Sequence, residues 1–200
     1  MNSDEDGRPS PVERLLDAAS RLFYARGAAN VGINEIIDRA QVARMTLYHH
    51  FPSKDALLQA VLERRAAERM AWLRRADDRA EAADGRLLAV FDLLREWVES
   101  PDYRGCPLVN ATIELGGKIN PARPIARDYH QDVRAYLTEL VRAAGAADPE
   151  ALAWQLQLLL DGATVQALVS GTAEPAWHAR QAAERLIAAE RKGVTPSPPS

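Results

Sequence analysis

Apolar residues recur at three- and four-residue spacing along most of the chain, and that period predicts helix almost throughout. Val12, Leu15, Leu16, Ala19, Leu22 and Phe23 share one face of a first helix from Pro11 to Arg26. Glu13, Arg14, Asp17 and Arg21 take the opposite face, and Gly27 is a C-terminal stop. A second, shorter helix from Ile33 to Ala40 gathers Ile33, Ile36, Ile37 and Ala40, with Glu35 in the first turn complementing the helix dipole. A third, from Ala43 to His50, is broken by Phe51-Pro52-Ser53. Ser53 is placed to cap a fourth, which runs from Lys54 through Leu58, Val61, Leu62 and Trp72 to the region of Ala80.

Asp84 is the expected cap of a fifth helix, from Gly85 to Ser100, carrying Leu87, Leu88, Phe91, Leu94 and Val98 and ended by Pro101. A sixth segment, Cys106 to Leu115, is closed by Gly116-Gly117. Pro121 and Pro124 open a seventh that ends near Ala144. Asp148-Pro149-Glu150 starts an eighth, with a cap, a proline in the first turn and an acid after it; Gly171 stops it after Ser170. Pro175 opens a ninth, to Arg191. There is no alternating run of β-branched residues and no Asn-Gly or Asp-Gly between such runs, so the expected fold class is all-α. The expected architecture is an N-terminal three-helix domain followed by a larger helical domain, about nine helices in total. The domain reading is an arm at 1–10, the three-helix domain at 11–53, the larger domain at 54–191, and a proline-rich tail at 192–200 expected to be disordered.

The chain has 200 residues, 47% hydrophobic and 26% charged, a balance that supports a packed core without staples. Its single cysteine, Cys106, excludes an internal disulfide and fits a reducing compartment. No leader pattern and no bilayer-length apolar run occurs, so a cytoplasmic protein with no membrane partner is expected. The net charge of −3 gives no sign of nucleic acid. Its distribution does: from Arg39 to Lys54 the chain holds Arg39, Arg44, His49, His50 and Lys54, and no acid, which points to a local anionic partner. Catalytic patterns are missing. Cys106 has no base nearby in sequence, and the remaining histidines, His130 and His178, stand alone without zinc-ligand spacing. There is no phosphate loop, nucleophile elbow or triad order. No enzyme activity, cofactor or metal is expected.

On a helical wheel, Leu47 and Phe51 share a face that packs inward, while Met45, Thr46, Tyr48 and His49 point outward. A short helix, a tight connection and a second helix with a polar outer face is the geometry that puts a recognition helix into the major groove. The run Thr46-Leu47-Tyr48-His49-His50-Phe51-Pro52-Ser53-Lys54, within a match covering Val12 to Leu62, resembles the signature of the TetR family of bacterial repressors. The resemblance implies that Arg44, Met45 and Thr46 approach base edges or flanking phosphates. Arg44 is suited to guanine and Met45 to a thymine methyl. It implies phosphate contacts from Tyr48 and His49, with His50 at the flank of that face. Lys54 adds charge at a helix N-terminus. Two departures stand out. Gln41 occupies a turn position where the family often has glycine, which places a non-glycine residue at positive φ for about 1 kcal/mol. Gly32 stands where Ser or Thr usually caps the second helix.

The same resemblance implies a C-terminal ligand-binding and dimerising domain. Leu156, Leu158, Leu159, Leu160, Ala163 and Val165 on the eighth helix, with Ala179, Ala182, Ala183, Leu186 and Ile187 on the ninth, would build a four-helix homodimer interface. An intramolecular core fits their periodicity equally well. For an effector pocket the candidates are Cys106, Asn110 and Glu114, one stripe at every fourth residue, together with Asp161 and the aromatic walls Trp72, Phe91, Tyr129 and Trp154. Glu114 and Asp161 need either a cationic ligand or an internal arginine such as Arg123 or Arg127. The functional expectation is a ligand-responsive regulator, most simply a repressor, that binds a near-palindromic operator in double-stranded DNA as a dimer. A small-molecule effector would release it. A helical adaptor or a bundle enzyme without DNA binding is the alternative.

Overall fold

The structure is a computed structural model that describes residues 9–117 and 120–191. The first eight residues of the expected arm and the whole expected tail lie outside the described residues. The described elements are α1 (Pro11–Arg26), α2 (Ile33–Ala40), α3 (Arg44–His50), α4 (Lys54–Arg74), a 3-10 turn (Arg75–Asp78), α5 (Ala83–Val98), α6 (Pro107–Leu115), α7 (Ala122–Ala143), α8 (Pro149–Ser170) and α9 (Glu174–Arg191). Among the described residues there is no strand. They form two compact units: the described part of Met1–Ala67 with Pro107–Ala126, and the described part of Glu68–Cys106 with Arg127–Ser200. The α6 segment thus folds with the three N-terminal helices, a grouping that follows spatial contact and not chain order.

In the first unit, α1 begins with a reciprocal cap. The Glu13 amide donates to Ser10 Oγ at 3.2 Å, and the Ser10 amide donates to Glu13 Oε2 at 2.6 Å. Leu15, Ala19, Leu22 and Phe23 are buried against Ile36, Ile37 and Ala40 of α2, Leu47 of α3 and Phe51. Arg14 does not simply face solvent: its Nε donates to the Ala40 carbonyl at 3.1 Å and so satisfies an orphan acceptor at the end of α2. Gln41 adopts φ 53°, ψ 52°, the left-handed conformation that the tight turn demands. Gly32 caps α2 without a side-chain hydrogen bond, and Ser53 Oγ accepts from the Ala56 amide at 3.1 Å at the start of α4.

In the second unit, Val90, Phe91, Leu94, Leu137, Leu156 and Leu160 build a core completed by α9 through Ala176, Ala179, Ala183 and Ile187. Two boundaries differ from those the periodicity predicts. The fourth helix does not continue as α-helix toward Ala80; it tightens at Arg75 into a 3-10 turn, a common way to use up terminal carbonyls. Asp77 in that turn accepts the Tyr136 hydroxyl at 2.9 Å. The fifth helix starts at Ala83 with Ala82 as its cap residue, so Asp84 is a first-turn acid whose Oδ1 accepts from the Gly85 amide. Gly85 is required here because a Cβ would lie 2.7 Å from that of Ala80.

Candidate nucleic-acid interface and effector cavity

The candidate recognition face is built on α3. Leu47 (0% exposed) and Phe51 (9%) anchor one side of that helix in the core. The 100° step per residue then forces the intervening positions outward. Met45 is 78% and Tyr48 43% exposed. His49 and His50 are exposed, Thr46 and Lys54 half-buried. Two large apolar or aromatic groups left in water on a seven-residue helix suit a surface that acquires a partner. The two imidazoles stack edge to face, ring centres 4.9 Å apart. Arg44 Nη2 donates to Asn34 Oδ1 at 3.0 Å, which holds the guanidinium against the first turn of α2. Asn34 carries no periodicity signal ten residues upstream, and only the turn brings it to Arg44.

The eight pocket candidates do not converge on one site. Trp72, Cys106, Tyr129 and Asp161 line a cavity of about 50 Å³ in the second unit. Arg69, Trp97, His130 and Thr164 join them there, none of which the apolar pattern singles out. The Arg69 guanidinium carbon lies 4.0 Å from the Trp72 ring centre and 3.6 Å from that of Trp97. Burial pushes the Tyr129 phenol up to about 12, against the opposing pull of nearby Arg69. His130 Nδ1 lies 3.4 Å from Asp161 Oδ2 and 3.0 Å from Gln157 Nε2.

The other four candidates lie elsewhere. Phe91 is fully buried in the core, where neighbours from the same unit consume its surface. Trp154 is half exposed on α8, with the Arg134 guanidinium 3.9 Å over its ring. Asn110 and Glu114 line a separate cavity of about 90 Å³ in the first unit. The described partners of Glu114 are backbone amides and not Arg123 or Arg127. Its Oε2 accepts from the Ala28 amide at 3.0 Å and its Oε1 from the Ala29 amide at 2.5 Å. Gly27, at φ 84°, leaves room for this carboxylate; a Cβ there would lie 2.7 Å from it. The stripe of Cys106, Asn110 and Glu114 is thus divided between the units, because Cys106 ends a segment of one and α6 belongs to the other.

Among the described residues no group of three His, Cys, Asp or Glu is placed to hold a metal, and no helix is long and apolar enough to cross a membrane. A three-helix head with an exposed acid-free helix, followed by a larger helical unit, defines a helix-turn-helix DNA-binding protein. A model described as bacterial regulatory proteins of the tetR family matches residues 15–61, and one described as a tetracyclin repressor-like C-terminal domain matches residues 83–183. The chain belongs to the TetR family of transcriptional regulators. A solved TetR-family regulator from Streptomyces coelicolor is 33% identical at a TM-score of 0.81, over 88% of this chain and 95% of that one. The HTH-type transcriptional repressor NemR of Escherichia coli is 27% identical over 88% of this chain and 93% of its own. The HTH-type transcriptional regulator YjdC of the same species is 25% identical over 88% and 92%.

Proposed function

We propose that this protein is a repressor, without catalytic activity, that works in the cytoplasm. It grips a near-palindromic operator as a homodimer and lets go when a small molecule occupies the cavity of the second unit. The single observation that carries the DNA reading is the outer face of α3, where Met45, Tyr48, His49 and His50 stand in solvent with no acid among them. In this reading Arg44, Met45 and Thr46 meet base edges, and Tyr48, His49, His50 and Lys54 meet phosphates. A gel-shift titration against the chain's own upstream DNA tests it. Specific binding should weaken steeply as salt rises, through release of counterions. Tyr48→Ala should lower affinity several-fold on every sequence that binds. Wild-type protein without salt-sensitive specific binding would sink the reading.

The homodimer rests on an apolar stripe that the folded monomer leaves uncovered. Along α8, Trp154, Leu158, Val165 and Val169 are 50%, 63%, 51% and 76% exposed, and Trp177 of α9 is 47% exposed. Beside them runs a groove of about 510 Å³ floored by Gly162, Ala163, Ala179 and Ala182. Small residues along a groove let a second pair of helices approach closely. Leu156 and Leu160, which the periodicity also offered to the interface, are spent on the monomer's own core. Val169→Glu introduces a charge at a site already in water, so the monomer should stay folded while the dimer dissociates. Sedimentation should report half the wild-type mass; an unchanged mass would place the interface elsewhere.

A further inference from the structure

The geometry points to a small organic carboxylate with an apolar body as the ligand class of the second-unit cavity, an inference that rests on reading this cavity as the effector site. The charge that waits for a partner there is positive. Arg69 sits in a corner formed by Trp72 and Trp97, whose rings are tilted 65° to one another. Indole faces stabilise a cation, yet they offer no lone pair to its in-plane N–H groups. Arg69 Nε is buried and has no hydrogen-bond partner. Among the described residues Arg69 makes no ion pair, and its described contacts are the two indoles and a side-chain hydrogen bond with Tyr129. Arg69 as a whole is half-buried, and its Nε is the atom sealed off without a partner. An anion in the cavity would give the guanidinium the counter-charge that the described residues do not supply.

The candidate negative charges are otherwise engaged. Glu114 is committed to backbone amides in the first unit. Asp161 is turned to His130 at 3.4 Å. The Gln157 amide is oriented by Arg134, which donates to its Oε1 at 3.2 Å, so its Nε2 donates to the His130 carbonyl at 3.0 Å and lies 3.0 Å from His130 Nδ1. Asp161 repels an anion, so a carboxylate head belongs on the Arg69 guanidinium. Tyr129 keeps its proton at neutral pH and can donate to that head. Leu94, Val133 and Leu160 make the remaining wall apolar. A cavity of about 50 Å³ holds roughly four water-sized groups, enough for a carboxylate on a short chain.

The test is calorimetric titration of the full-length protein with propionate and butyrate against propylamine and butylamine, which match them in shape and reverse the charge. The carboxylates should bind at least tenfold tighter than the amines. R69Q should lose at least tenfold in carboxylate affinity, while R69K, which keeps the charge, recovers most of it; thermal melts of both variants establish that they fold. The proposal is overturned if the amines bind as tightly as the carboxylates, if R69Q binds them like wild type, or if neither series binds. Arg69-dependent binding of butyrate that leaves DNA affinity unchanged keeps the ligand class and removes the effector reading. Amines that bind and release DNA do the reverse.

Discussion

Replacing Arg44 with alanine is expected to weaken operator binding about 10- to 100-fold, equivalent to roughly 1–3 kcal/mol for one bidentate contact to a base. The loss should fall unevenly across operator variants. A guanidinium that reads guanine discriminates at one base pair per half-site, so R44A should bind wild-type and substituted duplexes alike at that position and still discriminate at the others. Arg44→Lys should not restore the discrimination, because a point charge cannot reproduce the planar fork. Asn34→Ala should cost less, on the order of threefold to tenfold, since it frees a side chain now held at 3.0 Å and adds roughly 1 kcal/mol of ordering entropy to the binding step. Fluorescence anisotropy against a set of single-base-pair variants measures all of this. A uniform loss on every duplex would make Arg44 a phosphate contact, and no loss would remove it from the interface.

Glu114→Ala should cost the first unit about 2 kcal/mol. Hydrogen bonds to a charged group contribute roughly 1.5–3 kcal/mol each when buried, and this side chain is exposed enough that water replaces part of what is lost. The effect is local and so has a local signature. The amides of Ala28 and Ala29 should lose hydrogen-exchange protection while those in the middle of α1 keep theirs. Gly27→Ala supplies the companion measurement. In wild type it forces a methyl group into the carboxylate; in the Glu114→Ala background only the backbone strain of φ 84° remains. The two substitutions should therefore be less damaging together than their sum. Additive costs would show that the carboxylate does not press on the α1–α2 loop. A looser loop also leaves α2 and α3 less ordered, so DNA affinity should fall several-fold with the stability.

The helices were legible because each depends on neighbours within four residues. Caps, first-turn prolines and the apolar period act over that range, and α1, α2 and α8 begin and end where those signals stand. The outward face of α3 was legible for the same reason: burying Leu47 and Phe51 forces Met45, Tyr48 and His49 out. The left-handed residue at Gln41 also follows from local turn chemistry. The 3-10 ending of the fourth helix and the start of the fifth at Ala83 were not legible, because termini are settled by small differences among nearby hydrogen bonds.

Partnership is where periodicity runs out. The rule that places Leu156, Leu158 and Leu160 on an apolar helix does not say which of them meets its own chain and which is left for another. Leu160 is covered, beside Val90, Leu94 and Val133 of α5 and α7, and Leu158 on another side of α8 is left exposed. A polar stripe on α6 reads as one site on a wheel, yet its residues belong to two units. The amino-acid sequence by itself determined the elements, the reading head and the family, since all three are written in short-range spacing. Tertiary structure alone decided that Glu114 closes on the Ala28 and Ala29 amides, and that Arg69 stands between two indoles with no counter-charge among the described residues. Both arrangements join atoms far apart in the chain or on separate helices, where only the free energy of packing selects the neighbour.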